Sequence, residues 1–232
     1  QKSRSDIFRP GFSFSSIRLR FRELVPLSLP LTANRVLLGL LQGIEAVSIP
    51  GCLKLYNHST SEALSTYGVL TGMALPCILF PSAITNSVSI MLMPTVAELQ
   101  VKDQASGIRK LLQKVLGSCF LMGLFCCLFF LFFGQLIGQF LFASDLAGNF
   151  IITLAWICPF LYVNGSLLSV LNGFGKTTTS FTINTVGLAI RIGSVFFAIP
   201  VFGIQGYLWG LLISQLAVSI CCSVVLKHLI SA

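Results

Sequence analysis

The chain has 232 residues, 55% of them apolar and only 9% charged, with 15 Lys and Arg against 7 Asp and Glu and a mean hydropathy of +0.89. A water-soluble domain carries about 25% charged residues, so a soluble enzyme is excluded and a chain that crosses a membrane several times is implied. The net charge of +8 then reads as basic loops on the inner face of a bilayer rather than as a nucleic-acid footprint.

Residues 1–23 come first, with Lys2, Arg4, Arg9, Arg18, Arg20 and Arg22 against Asp6 and Glu23. They read as a basic cytoplasmic segment lying on the inner membrane face, where anionic lipid attracts it. The opening Gln1-Lys2-Ser3 shows no signal-peptide pattern, so the chain is expected to start inside a cytoplasmic loop of a longer protein. Six apolar segments follow, near 25–53, 63–97, 112–143, 148–171, 178–201 and 204–226. Each is long enough to cross a hydrocarbon core of about 30 Å. The expected fold is therefore an all-α integral membrane bundle of six transmembrane helices, over residues 24–230.

The segments at 63–97 and 112–143 exceed the length needed, so they are expected to tilt, kink or project from the bilayer. Pro76 and Pro81 can kink the first of these, and Pro94 sits near its end. The other carries Phe120, Phe125, Phe129, Phe130, Phe132, Phe133, Phe140 and Phe142. It is apolar nearly all round and is expected to face lipid. Pro200-Val201-Phe202-Gly203 reads as a short turn between the last two segments.

Basic residues set the orientation. With the amino-terminal segment inside, the inner regions hold the six basic residues of 1–23, then Lys102, Arg109, Lys110 and Lys114, then Lys176 and Lys227, while the outer loops hold Lys54 alone. That asymmetry places both ends in the cytoplasm. Other local patterns carry little. Asn57-His58-Ser59 fits a glycosylation sequon. Gly173-Phe174-Gly175-Lys176-Thr177 looks like part of a phosphate-binding loop, but Val170 stands where that motif needs Gly. The eight Cys residues lie mostly within apolar runs with no CxxC spacing. They read as small apolar side chains, without a zinc site or a disulfide framework, and nothing calls for a cofactor.

An ionisable residue inside a membrane helix costs about 2.5 kcal/mol or more near the centre, which directs attention to Arg35, Glu45 and Arg191. In the first helix, Thr32, Arg35, Gly39, Gln42 and Glu45 are spaced 3, 4, 3 and 3 along one face. Arg35 sits about 16 Å up the helix from Leu24, near mid-membrane, and Glu45 is about 15 Å further. The two are too far apart to pair, so each needs another partner or water. In the fifth helix, Ser180, Asn184, Gly187, Arg191 and Ser194 are spaced 4, 3, 4 and 3. The second helix adds Ser82, Thr85, Asn86 and Ser89, and the fourth adds Asn164, Ser166, Ser169 and Asn172. Hydroxyl and small residues on such stripes commonly join helices. The two Arg residues read instead as lining for a water-filled pathway, since a guanidinium fork suits phosphate oxygens. The competing reading holds them against Glu45, backbone carbonyls or a missing half. The candidate cavity residues are Arg35, Arg191, Asn34, Gln42, Glu45, Asn86 and Asn184.

Longer motifs resemble a known family. Pro30-Leu31-Thr32-Ala33-Asn34-Arg35 and Tyr67-Gly68-Val69-Leu70-Thr71-Gly72-Met73-Ala74-Leu75-Pro76 are similar to the stage V sporulation protein B-like polysaccharide transporters. So are Phe80-Pro81-Ser82-Ala83-Ile84-Thr85-Asn86-Ser87, Met93-Pro94 and the turn Leu171-Asn172-Gly173-Phe174-Gly175-Lys176. The resemblance runs over about residues 24–230. It implies the multidrug, oligosaccharidyl-lipid and polysaccharide flippase superfamily, whose fold sets two six-helix bundles around a cavity that opens alternately to either side. The chain looks like the carboxy-terminal lobe of such a fold, partnered by an amino-terminal bundle. Relatives move undecaprenyl-diphosphate-linked sugars across the bacterial inner membrane, and the sporulation members are associated with the spore cortex. Peptidoglycan-precursor flippases carry a cavity Arg in the helix corresponding to 63–97. This chain has no basic residue there, and Arg35 is the nearest substitute.

The expected function is thus a flippase for lipid-linked oligosaccharide or polysaccharide precursors of cell wall or spore cortex, with an anionic substrate, membrane lipids as neighbours and no nucleic acid. A cation-coupled multidrug exporter of the same superfamily is the alternative, although it calls for cavity carboxylates. A membrane-embedded glycan-processing enzyme is the third reading. It lacks support, because His58 and His228 lie at helix ends and no carboxylate pair falls within the membrane segments.

Overall fold

The computed structural model describes residues 36–56, 59–101 and 105–231. The basic segment at 1–23, the first half of the expected first helix with Asn34 and Arg35, and the sequon residues Asn57 and His58 lie outside the described residues. Leu41–Ala232 make up a compact unit distinct from Gln1–Leu40.

Among the described residues every regular element is a helix. In chain order these are α1 (Val36–Tyr56), α2 (Thr60–Leu79), α3 (Ser82–Val101), α4 (Ala105–Phe142), α5 (Asp145–Ala155), α6 (Cys158–Gly173), α7 (Thr177–Phe197), a single turn α8 (Ile199–Phe202) and α9 (Ile204–Ser231). Helices α1, α2, α4, α7 and α9 are each long and apolar enough to cross a membrane, and α5 with α6, bent by 55°, is apolar enough as a pair, which makes five spans or six. Phe80, Phe132, Phe140 and Phe197 are all more than three-quarters exposed. Water would not tolerate so much open aromatic surface on one bundle, whereas lipid does. Phe130 turns inward, and most of the remaining α4 phenylalanines face out, as expected.

Two of the expected spans are interrupted. The segment read at 63–97 is divided at Phe80 and Pro81 into α2 and α3, and Leu70–Ala74 within α2 form a π-helical turn just before Pro76. Proline lacks the N–H that a helix needs and crowds the carbonyl one turn back. The wider π turn makes room at Pro76, whereas Pro81 ends the run. The carbonyls exposed there find new donors: Tyr162 Oη donates to Ile78 O at 2.8 Å and Ser82 Oγ to Leu79 O at 2.6 Å. Lipid offers no donor, so such a break is stable only with protein partners.

The segment at 148–171 was expected to be one helix. It is broken at Trp156 and Ile157, with Pro159 at the start of α6. The signal was the proline itself, which removes a hydrogen bond there as Pro81 does in its own segment. The loop expected at 98–111 is mostly helical as well, because α3 runs to Val101 and α4 starts at Ala105. Helix α4 is consequently about 57 Å long, well beyond one hydrocarbon core, and its first turns carry Arg109, Lys110 and Lys114. The turn expected at 200–203 is present as α8, closed by Gly203 at φ 61°.

The buried side chains form two apolar clusters: the break at Phe80 and Pro81 falls between them, and the one at Trp156 and Ile157 falls within the first. The first joins Ile49 and Leu53 of α1, Leu70 and Ala74 of α2, Phe130, Phe150, Leu154 and Leu208. The other joins Leu92 and Val96 of α3, Leu112, Leu171, Val218 and Cys222. Helices α4, α6, α7 and α9 contribute to both clusters, while α2 and α5 serve the first and α3 the second. Six of the eight cysteines are buried, all as free thiols, and they pack as small apolar groups.

Candidate functional site

The most polar buried cluster lies where α1, α7 and α9 meet. Glu45 is only 3% exposed. Arg191 holds it with both arms of the fork: Nε donates to Oε1 at 2.9 Å and Nη2 to Oε2 at 2.6 Å. Tyr207 Oη donates to the same Oε1 at 2.9 Å. The carboxylate thus accepts three bonds, and the guanidinium keeps one side partly open, with its side chain 25% exposed against 4% for Glu45. A fork-to-fork pair of this kind is the strongest way to carry opposite charges into a low-dielectric interior.

Local sequence explains how the three converge. On α1 the buried positions are Glu45, Ile49, Cys52 and Leu53, a helical spacing that presents Glu45 on the packed face. On α7, Gly187 and Ser194 of the stripe anticipated from the sequence meet α9, while Arg191 reaches Glu45 of α1. Gly187 has no room for a Cβ beside Val218, and Ser214 Oγ donates to its carbonyl at 2.8 Å. Gly210 of α9 lies against Ser194, whose hydroxyl donates to Arg191 O at 2.7 Å. These small residues let α7 and α9 approach closely enough for Tyr207 to reach Glu45.

A second polar set lies between the apolar clusters and joins helices. Ser89 of α3 and Ser166 of α6 share a hydrogen bond of 2.9 Å, and Cys119 of α4 lies 3.3 Å from the same Ser166 hydroxyl. Asn164 Nδ2 donates to the Gln215 carbonyl at 2.9 Å and to Gln215 Oε1 at 2.7 Å. For these hydroxyl and amide residues the joining role is the one observed. Among the described residues, Asn164 Oδ1 and Thr185 Oγ1 are buried without a partner.

The candidate cavity residues are therefore distributed unevenly. Glu45 and Arg191 come together. Gln42 and Asn86 are exposed and Asn184 is half-buried, and among the described residues no hydrogen bond links any of them to the pair. Arg35 and Asn34 lie outside the described residues. Tyr207 was not anticipated, although a tyrosine within an apolar helix needs a partner for its hydroxyl, and so does Tyr162. Among the described residues no three His, Cys, Asp or Glu side chains gather as a metal site.

Comparison with known proteins narrows the reading. Stage V sporulation protein B of Bacillus subtilis (strain 168) is 26% identical over 188 residues, which cover 80% of this chain. The chain is distantly related to stage V sporulation protein B. It spans 36% of that protein's length. Sporulation protein YkvU of the same organism is 26% identical over 93 residues, covering 40% of this chain and 21% of that protein. No family model matches the chain, and no solved structure does. The relationship agrees with the resemblance drawn from the sequence motifs. Three of those motifs fall at special backbone positions: the π turn before Pro76, the break at Pro81, and the α6–α7 turn, where Gly175 has φ 73°.

Proposed function

We propose that this chain is one lobe of a membrane flippase that moves lipid-linked oligosaccharide or polysaccharide precursors by alternating access. The observation that carries the reading is the similarity to stage V sporulation protein B across 80% of the chain, laid over a bundle in which an arginine, Arg191, is paired with a buried carboxylate. In this proposal the partner is an amino-terminal bundle, both ends of the chain are cytoplasmic, and the membrane is the bacterial inner membrane. Arg35, Arg191, Asn34, Gln42, Asn86 and Asn184 face the cavity between the lobes, and Glu45 holds Arg191 until the substrate diphosphate competes for it. Rocking of one lobe against the other then carries the head group across while the lipid tail stays in the bilayer.

The multidrug-exporter alternative needs a free carboxylate in the membrane. Among the described residues Glu45 is engaged by Arg191 and Tyr207, and Glu62, Glu98 and Asp145 sit in the first or last turns of their helices. The transporter reading is also favoured over an enzyme, since no base and nucleophile meet in the cluster.

A charge swap separates the roles of Arg191. Glu45→Arg with Arg191→Glu keeps a buried pair but moves the cation to α1. The assay is translocation of lipid-linked glycan in proteoliposomes that hold this chain with its amino-terminal bundle, expressed per correctly inserted molecule. Wild type translocates, and the swap folds but loses at least tenfold in rate. Equal rates in both would remove the substrate role of Arg191. Export of a cationic drug with no movement of the glycan would overturn the proposal as a whole.

A further inference from the structure

A groove of about 460 Å³ opens at the end of the bundle that carries the basic first turns of α4. It is walled by Arg109, Leu112, Gln113 and Leu116 of α4 and by Ser223, Leu226 and Lys227 of α9, with Leu167 of α6 as its floor. The α4 residues fall at i, i+3, i+4 and i+7, and those of α9 at i, i+3 and i+4, so each helix offers one continuous face. The two helices run in opposite directions here, which sets Arg109 and Lys227 together at the mouth. Gln113 and Ser223 come next, and Leu116 lies about 10 Å deeper along α4. The polarity is graded from charge, through neutral hydrogen-bonding groups, to hydrocarbon.

We infer that this groove binds an anionic phospholipid, with the phosphate between Arg109 and Lys227, the ester region beside Gln113 and Ser223, and an acyl chain along Leu112, Leu116, Leu167 and Leu226. Charge complementarity points to this occupant. Both cations are exposed, and among the described residues neither belongs to an ion pair. A zwitterionic lipid brings a cation of its own beside Arg109 and Lys227, and a hydrophobic helix brings no anion at all. A larger groove between α2 and α4, about 610 Å³ and lined by Pro76, Phe80, Phe125 and Phe129 among others, has no charged side chain. It gives a lipid head group nothing to bind. The proposed site shares no residue with the Glu45, Arg191 and Tyr207 cluster, and it stands whether or not the chain transports glycans.

The test uses the full chain in detergent, titrated with short-chain phosphatidylglycerol and, separately, with phosphatidylcholine of the same chain length, followed by native mass spectrometry. Wild type is expected to retain phosphatidylglycerol at least tenfold more tightly. Arg109→Gln with Lys227→Gln should lower that affinity about thirtyfold, since each cation near an anionic head group contributes several-fold. Lys110→Gln with Lys114→Gln is the charge-matched control, because those side chains lie outside the groove, and it should change affinity less than threefold. Leu116→Trp, which fills the deep end, should weaken the lipid while leaving inorganic phosphate without effect as a competitor. Equal retention of the two lipids would overturn the proposal. So would equal losses in the two double variants, which would mean diffuse attraction to a basic end, or full competition by inorganic phosphate, which would mean an anion site without a lipid. Helical circular dichroism and elution volume identify variants that misfold, and Arg109→Lys, which keeps the charge, must then retain binding.

Discussion

Glu45 and Arg191 are 146 positions apart in sequence and share two hydrogen bonds. Spacing along a single helix could show that Arg35 and Glu45 cannot pair, and it could place Arg191 on a polar stripe. It could not show which helix faces which, because that depends on packing among α1, α7 and α9. The same limit applies to Tyr207, whose partner lies on another helix. The energetics of the pair follow from its burial. Removing the arginine leaves a carboxylate in the interior with one tyrosine hydroxyl, whereas removing both charges leaves none. Arg191→Met is therefore expected to destabilise the chain by about 3–5 kcal/mol, and Glu45→Leu with Arg191→Met by much less. Thermal unfolding in detergent, followed by circular dichroism, checks the order. A double variant as unstable as the single one would show that the pair itself, and not the orphaned charge, carries the stability.

At the scale of the element, the approach of α4 to α5 and α6 depends on glycines. A Cβ on Gly123 would lie 2.5 Å from the Pro159 Cα, and one on Gly138 would overlap the backbone of Gly148. A Cβ on Gly134 would meet the Ile152 side chain at 2.8 Å, so Gly134 and Gly138 form a small-residue seam of the kind that lets membrane helices touch. The α4–α5 turn is tied as well, with Gln139 Nε2 donating to Asp145 Oδ1 at 2.8 Å and Ser144 capping α5 through Ala147 N. Gly138→Val must push the helices apart and should cost about 1–3 kcal/mol or more. Gly117→Val, where nothing lies within 4 Å of the added atom, should cost far less. Loss of folded protein on denaturant titration in micelles ranks the two, and equal costs would mean that the seam is not tight. Composition and hydropathy made the existence of these helices readable, and Pro81 marked one break. The break at Trp156 and Ile157 went unread because apolar content is continuous across it, and only Pro159 interrupts the hydrogen bonding.

At the scale of the whole molecule, the proposed topology rests on where the cations sit relative to six spans. Lys54 lies near the end of α1 opposite to the basic end of the bundle, and Lys176 lies at the α6–α7 turn. In a cysteine-free background, Lys54→Cys should react with an impermeant maleimide added outside the cell. Lys176→Cys should react only after the membrane is opened. Reaction of both from the same side would refute the arrangement, because the spans between them would then have to be even in number.

The paired interruptions have a consequence for how the chain comes apart. Among the described residues α4, α6, α7 and α9 reach both apolar clusters, whereas α2 and α5 pack in the first alone and α3 in the second alone. Loss of the layer around Phe150 and Leu208 leaves Leu92, Leu112, Leu171 and Cys222 in contact. Hydrogen exchange is therefore expected to release the amides of α5 and of α3 in separate groups, ahead of those in the four helices that span both clusters.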